Sequence, residues 1–332
     1  MPNFNHLQDS HRTRMQDCLS FKSMKQNPVA LWRHFPVDDQ DPDRFARAIS
    51  NFQDTFDFDF IKVTPASSFC LKDWRVEDVW KGNPEGTREI TLYPIKKPDD
   101  WMSLAILDPN KGALKAQCDC LHLLIGKYLN STPIIQTIFN PLAQAKNLIG
   151  KQTLIDHLHQ YPDQVKYGLD IITKSTILFL EKCHELKIDG IFYAIQHAQR
   201  ALLTMDEFDE FCYPYDLKIM NALNEFWLNI IHIHGEDIYF DKVMHYPASV
   251  LNWHDTRTPP TLSEARSKYQ GVICGGISQW ESLAFGTPDQ IRVEAEKAFE
   301  ATQKVGFILG TGCVAPIISP FGNIIAVRES VI

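Results

Sequence analysis

The stretch Ile231-His232-Ile233-His234-Gly235-Glu236 sets two imidazoles two residues apart at the end of an apolar run. Near the far end of the chain, Gly310-Thr311-Gly312-Cys313 sets a thiol after another such run. Residues i and i+2 of a strand point to the same face, so His232 and His234 can look into one cavity. Two imidazoles and a thiolate form a zinc set with an open coordination position, provided the fold brings Cys313 to the histidines. The plainer alternative is that one histidine bonds a backbone carbonyl and Cys313 is simply buried. His254-Asp255 could orient an acid–base imidazole, or cap the Thr-Arg-Thr-Pro-Pro turn that follows. Arg33 could hold a carboxylate through both arms of its guanidinium, or pair structurally with Asp38 or Asp39. Cys118-x-Cys120 with His122 lies in a helical pattern that sends i and i+2 to different faces, so core or solvated thiols are expected there. His157-x-His159 reads as a surface pair. The chain has no G-x-x-x-x-G-K-[ST], G-x-S-x-G or H-E-x-x-H, which leaves ATP hydrolysis and serine-hydrolase chemistry without a motif.

Short β-branched or aromatic runs alternate with longer amphipathic stretches, and these must position the candidates. Eight strands are expected, at 29–33, 58–63, 133–139, 189–194, 227–233, 248–253, 271–274 and 305–309. Helical patterns fall between them at 43–55, 114–128, 141–148, 164–186, 205–225, 238–246, 262–268 and 289–304. Thr287-Pro288-Asp289 supplies a start signal for the last of these. Alternating β and α with apolar strands points to a parallel sheet covered on both faces, and eight units in this length predict a closed (β/α)8 TIM barrel. A doubly wound dinucleotide fold lacks its G-x-G-x-x-G. Residues 71–108, rich in Trp, Gly and Pro, read as a long loop insertion that could form part of a lid.

In such a barrel the strand ends converge on one mouth. Besides the groups above, Arg33, His34, Lys62, Thr64, Asn140, Gln196, Gly275, Gly276 and Thr311 all follow strands. They are the candidate substrate-binding residues.

The 332 residues carry 33 basic and 41 acidic side chains, a net charge of −8, with 44% hydrophobic residues. That composition supports a sizeable core and excludes the low-hydrophobicity profile of disorder. An acidic balance without basic runs argues against nucleic-acid partners. Eight scattered cysteines suit a reducing compartment. The first 28 residues lack an apolar signal core, and no long apolar span follows, so a cytoplasmic protein without membrane contact is expected.

From about Asn27 onward the ordered segments NPVALWRHFPVDD, DFDFIKVTPAS, GIFYAIQHAQR, IIHIHGED, VLNWHDT, VICGGIS and LGTGCVAPIISPFGNIIAV resemble the uroporphyrinogen decarboxylase superfamily. That superfamily also contains cobalamin-dependent methyltransferases acting on thiols. The resemblance implies a barrel of the kind shared with methionine synthases. It divides the chain into an N-terminal extension over 1–26 and a single barrel over 27–332. It also implies a possible homodimer and a small-molecule substrate.

The decarboxylase's own markers depart here. Its R-Q-A-G-R-Y is matched by Arg33-His34-Phe35-Pro36-Val37-Asp38, so the second arginine is missing. Thr64 stands where that enzyme has an aspartate, and its G-H-G becomes Gly310-Thr311-Gly312. The methyltransferase branch binds zinc through His-x-Cys and a late Cys, which match His232, His234 and Cys313 with His in the middle place. Glu236 is a further candidate ligand or base. The resemblance therefore implies a zinc-dependent methyltransferase moving a methyl group to a thiol, from a small donor or from a corrinoid supplied by a partner protein. The alternatives are a metal-free decarboxylase of uroporphyrinogen or a smaller carboxylate, in which Arg33 grips the acid and His254 or Asp255 handles the proton, and a non-catalytic ligand-binding barrel.

Overall fold

The computed structural model describes residues 10–331. The strands among them are β1 (Ile61–Val63), β2 (Glu77–Val79), β3 (Glu89–Leu92), β4 (Ile134–Phe139), β5 (Gly190–Ile195), β6 (Leu228–Ile233), β7 (Val250–Trp253), β8 (Val272–Ile277) and β9 (Phe307–Thr311). Seven of them form one parallel sheet in the order β1-β4-β5-β6-β7-β8-β9, with β2 and β3 paired apart as an antiparallel hairpin. Every residue of the seven is buried, as strands covered on both faces require.

The sheet is curled. Leu309 N–H of β9 donates to Pro28 O and Ala30 N–H donates back to Leu309 O, while Asp59 N–H, just before β1, donates to Val29 O. The expected eighth strand at 29–33 is thus reduced to a single bridge between Val29 and Leu309. Two residues explain the shortfall. Pro28 has no N–H to give to a ladder, and the N–H of Val29 is taken at 2.8 Å by the side chain of Asp59 instead of by a backbone carbonyl. The architecture is therefore a curled seven-stranded parallel sheet with helices around it, in place of eight regular strands.

The helix Pro288–Thr302 begins as expected, with Thr287 and Gln290 in a reciprocal cap and Pro288 in the first turn. The expected 205–225 helix breaks into Met205–Phe211, Tyr213–Ala222 and a short 3-10 turn, with Pro214 in the first turn of the second piece. The expected helix at 238–246 shrinks to Phe240–Val243. An unexpected helix, Lys151–Gln160, carries the His157-x-His159 pair. His157 is buried and accepts a hydrogen bond from Trp101 Nε1 at 3.1 Å, which corrects the surface reading; His159 is exposed. Cys118 and Cys120 are buried core thiols, and His122 is exposed. All eight cysteines are free.

Residues 71–108 are more ordered than a loop. They hold the β2–β3 hairpin and the 3-10 turn Pro98–Ser103 with buried Trp101. Of the N-terminal extension, residues 1–9 lie outside the described residues. The described remainder contains the helix His11–Leu19, whose Met15 and Cys18 are fully buried. Arg14 Nε binds Asp59 Oδ1 at 2.6 Å, Arg12 pairs with Asp189, and Cys18 Sγ reaches Phe307 O at 3.5 Å. Asp59 and Asp189 precede β1 and β5, and Phe307 opens β9. The helix therefore sits at the end of the sheet opposite the candidate mouth. Among the described residues no helix is long and apolar enough to cross a membrane.

Candidate functional site

Parallel register sets the site. His232 near the end of β6 lies level with Asn252 of β7, and Thr311 ends β9 beside β8. His234, His254 and Cys313 each follow one of these strand ends by one or two residues. One ligand atom from each of His232, His234, His254 and Cys313 falls within 4.8 Å of all the others. His234 Nδ1 is the shared vertex, 3.4 Å from His232 Nε2, 3.4 Å from His254 Nε2 and 3.8 Å from Cys313 Sγ.

Tetrahedral zinc with ordinary bond lengths needs N···N edges of about 3.3 Å and N···S edges of about 3.6 Å. The three edges at His234 fit that figure. They do not fit a set of hydrogen bonds, because one Nδ1 carries one hydrogen or one lone pair and has three neighbours here. A cation at the centre would satisfy all three contacts at once.

Burial acts on these groups in the same direction. Desolvation, helped by neighbouring His234 and His254, holds His232 well below the usual imidazole range. His234 is lowered to about 3 by burial and then by His254, and His254 to about 4 by burial and then by Arg257. All three rings are therefore neutral, as ligands must be. Burial pushes the Cys313 thiol up to about 11, so a cation has to draw its proton away.

The supporting contacts orient the donors. Asn252 Oδ1 accepts from His232 Nδ1 at 2.7 Å, which leaves the Nε2 lone pair facing the cluster. Asn252 Nδ2 donates to Cys274 O and Thr311 O, both at 3.0 Å. Gln279 hydrogen-bonds the His254 ring and donates from Nε2 to Val314 O at 2.6 Å, tying two ligand-bearing segments together. Gln279 opens a π-helical turn, Gln279–Ala284. Thr311 Oγ1 donates to Cys313 O at 2.5 Å. Gly312 permits the close passage, since a Cβ there would stand 2.6 Å from Trp253 O and 2.7 Å from His254 Cα.

Lys62 is buried next to this cluster. Its Nζ lies 4.2 Å from the Phe192 ring centre, that ring stacks on His232 at 5.4 Å, and among the described residues its one hydrogen-bond partner is Thr64 Oγ1 at 3.1 Å. Burial lowers its pKa to about 7, with Cys313 opposing the shift. His34 is also buried, with Nδ1 unpartnered, and burial followed by Lys62 holds it at about 3. Asp255 Oδ2 accepts from Gly276 N–H at 3.0 Å beside Gly275, and burial raises its pKa to about 7.

Other candidates fall elsewhere. Arg33 points its guanidinium over Phe35 and Phe52, at 5.1 and 5.8 Å, toward the helix Pro42–Phe56; neither expected aspartate pairs with it among the described residues. Glu236 is exposed and pairs with Arg257 at 2.7 Å, away from the four donors. Asn140 caps the helix Pro141–Ile149 and binds Asp216 at 3.4 Å, and Gln196 accepts from Lys146 at 2.9 Å. The sequence reading gave His254 only acid–base or capping roles. The alternation that puts Asn252 of β7 and His254, just past its end, on one face carried the missing signal.

A family model described as uroporphyrinogen decarboxylase (URO-D) matches residues 79–332. The chain belongs to the uroporphyrinogen decarboxylase family. Among solved structures it is similar to a methyltransferase from Methanosarcina mazei, with a TM-score of 0.83 at 17% identity over 97% of this chain and 98% of that one. It is also similar to a B12-independent methionine synthase from Shewanella sp. W3-18-1 in complex with selenomethionine, with a TM-score of 0.59 at 11% identity over 92% of each chain. At these identities both likenesses show a shared fold. No curated protein sequence matches. The family model's span includes all four clustered donors and leaves Arg33 and Lys62 outside it.

Proposed function

We propose that this family member is a zinc-dependent methyltransferase that passes a methyl group from a corrinoid or small donor to a thiol. One observation carries the reading: the four donors His232, His234, His254 and Cys313, with ligand atoms within 4.8 Å of one another at the C-terminal ends of parallel strands. His232, His234 and Cys313 would hold the metal, with His254 completing the set when no substrate is present. A bound zinc ion lowers the pKa of a substrate thiol into the range where its thiolate is the nucleophile. His254, anchored by Gln279, would take the thiol proton once substrate displaces it from the metal. Lys62 and Phe192 pack beside the cluster, where the ammonium would offset negative charge on Cys313. The structural likeness to a methyltransferase supports the same reading.

A uroporphyrinogen decarboxylase has less support. Thr64 occupies the place of the acceptor aspartate and is bonded to Lys62, and Arg33 is stacked on Phe52 instead of facing the donors. A silent ligand-binding barrel would not need four convergent donors with matched second contacts. The test is methyl transfer from methylcobalamin to a thiol by zinc-loaded protein, followed by loss of the methyl–cobalt absorption. Transfer abolished in His232→Ala and Cys313→Ala is expected. Decarboxylation of uroporphyrinogen by metal-free protein would overturn the reading.

A further inference from the structure

Two of the charged side chains near the mouth that form no ion pair among the described residues act on Cys313, and they carry opposite signs. Lys62 is one. The other is Glu85, at the tip of the β2–β3 hairpin, which accepts a hydrogen bond from Trp280. The hairpin is fastened over the mouth. Arg88 binds Asp78 within it and Pro36 O beneath it, and Ile317 N–H donates to Pro84 O at 2.8 Å. Gly86 is pressed so close that a Cβ would lie 2.7 Å from His34 Cβ, and the positive φ of Gly82 (+85°) and Gly86 (+80°) shapes the turn.

The segment after Cys313 is pinned on both sides. Ala315 N–H donates to Trp32 O at 2.7 Å, and the Trp32 ring flanks Lys62 at 5.7 Å; Ile317 is tied to Pro84, next to Glu85. The thiol ligand is therefore bracketed by a cation from the sheet and a carboxylate from the insertion. Both charges act on Cys313, in opposite directions. Arg257 also faces Glu85 but is engaged by Glu236 at 2.7 Å.

An ammonium held by one neutral hydroxyl between two aromatic rings is costly to bury, and a carboxylate ligand offers the charge-assisted bonds it lacks. A half-buried carboxylate on the opposite side suits an ammonium in the same way. We propose that Lys62 and Glu85 together select an acceptor bearing both a carboxylate and an ammonium group, so that the substrate is a thiol-containing amino acid. Sulfur would sit at the donor cluster, the carboxylate at Lys62 and the amino group at Glu85. This inference rests on the thiol reading above and names its substrate class.

The test uses the full chain loaded with Co²⁺, whose thiolate absorption reports sulfur binding without turnover. Four thiols are titrated: homocysteine, aminopropanethiol, mercaptobutyrate and propanethiol. Homocysteine is expected to bind about tenfold or more tightly than either singly charged thiol, from one charge-assisted contact at each end. Glu85→Gln should weaken homocysteine and aminopropanethiol about tenfold and leave mercaptobutyrate unchanged, and Lys62→Met should do the reverse. Should Lys62→Met fail to fold, the ligand series on the unaltered protein decides alone. Equal affinity for all four thiols overturns the charge pairing while leaving the thiol reading intact. Absence of any thiolate band with every thiol overturns the thiol reading, and this inference with it.

Discussion

Asn252 is the residue whose replacement tests the organisation of the site most sharply. Its oxygen faces one N–H and its amide nitrogen faces two carbonyls, so the side chain is satisfied in one orientation only. Asn252→Leu removes three buried hydrogen bonds at about 1 kcal/mol each, so stability should fall by about 3 kcal/mol. The His232 ring also loses the acceptor that fixes its tautomer, and loss of such a contact costs about ten- to a hundredfold in metal affinity. Asn252→Asp restores the acceptor for His232 but turns an oxygen toward two carbonyls, so it should regain metal affinity without regaining stability. Zinc affinity is read by competition with a chelating dye, and stability by urea unfolding of the metal-free protein. Asn252→Leu with zinc affinity within about twofold of the unaltered protein would refute the argument that this contact organises the donors.

Three further outcomes follow from other parts of the fold. Asp216 is fully buried under Tyr193 Oη at 2.7 Å and Tyr246 Oη at 3.0 Å, and burial raises its pKa to about 7. The folded chain keeps a proton there that the unfolded chain releases near pH 4, so stability falls as pH rises from about 4 to about 7, by on the order of 4 kcal/mol in full. Asp216→Asn should therefore gain about 2–3 kcal/mol on the unaltered protein between pH 5 and pH 8 in the free energy of urea unfolding, and a constant difference would contradict this. Arg14→Leu leaves Asp59 buried without its cation and should cost about 3–5 kcal/mol in unfolding free energy, whereas a loss below about 1 kcal/mol would show that the N-terminal helix is not held this way. Gly312→Ala should lower zinc affinity about tenfold or more by pushing the end of β9 away from His254, while Gly126→Ala, whose Cβ meets nothing within 4 Å, should leave it unchanged.

Strands β4 to β8 were legible because their apolar runs are long and bounded by turns, and strand alternation is what suggested that His232 and His234, which lie 3.4 Å apart, share one face. The last strand runs to Thr311, two residues beyond the expected 309, since Val305 is exposed and Gly306 turns before the strand begins. What escaped the sequence depended on partners distant in the chain. The 29–33 run is apolar, yet Asp59 takes the N–H that a ladder would need. Arg33 reads as a mouth residue until its neighbours are seen: Trp32 and His34 turn toward Lys62, and the residue between them turns out to Phe52. His157 looked solvated because nothing local announces Trp101 as its donor. Glu85 gave no signal at all, as it reaches the mouth only through an insertion whose fold is set by Arg88 and Asp78.

The central claim is that three imidazoles and one thiol form a metal site, and zinc analysis of the protein as purified tests it most directly. About one zinc per chain is predicted, falling to about none in the His232→Ala, Cys313→Ala double variant while the fold is retained by circular dichroism. Protein that contains no zinc, takes up neither Zn²⁺ nor Co²⁺ when they are supplied, and still transfers methyl groups would contradict it.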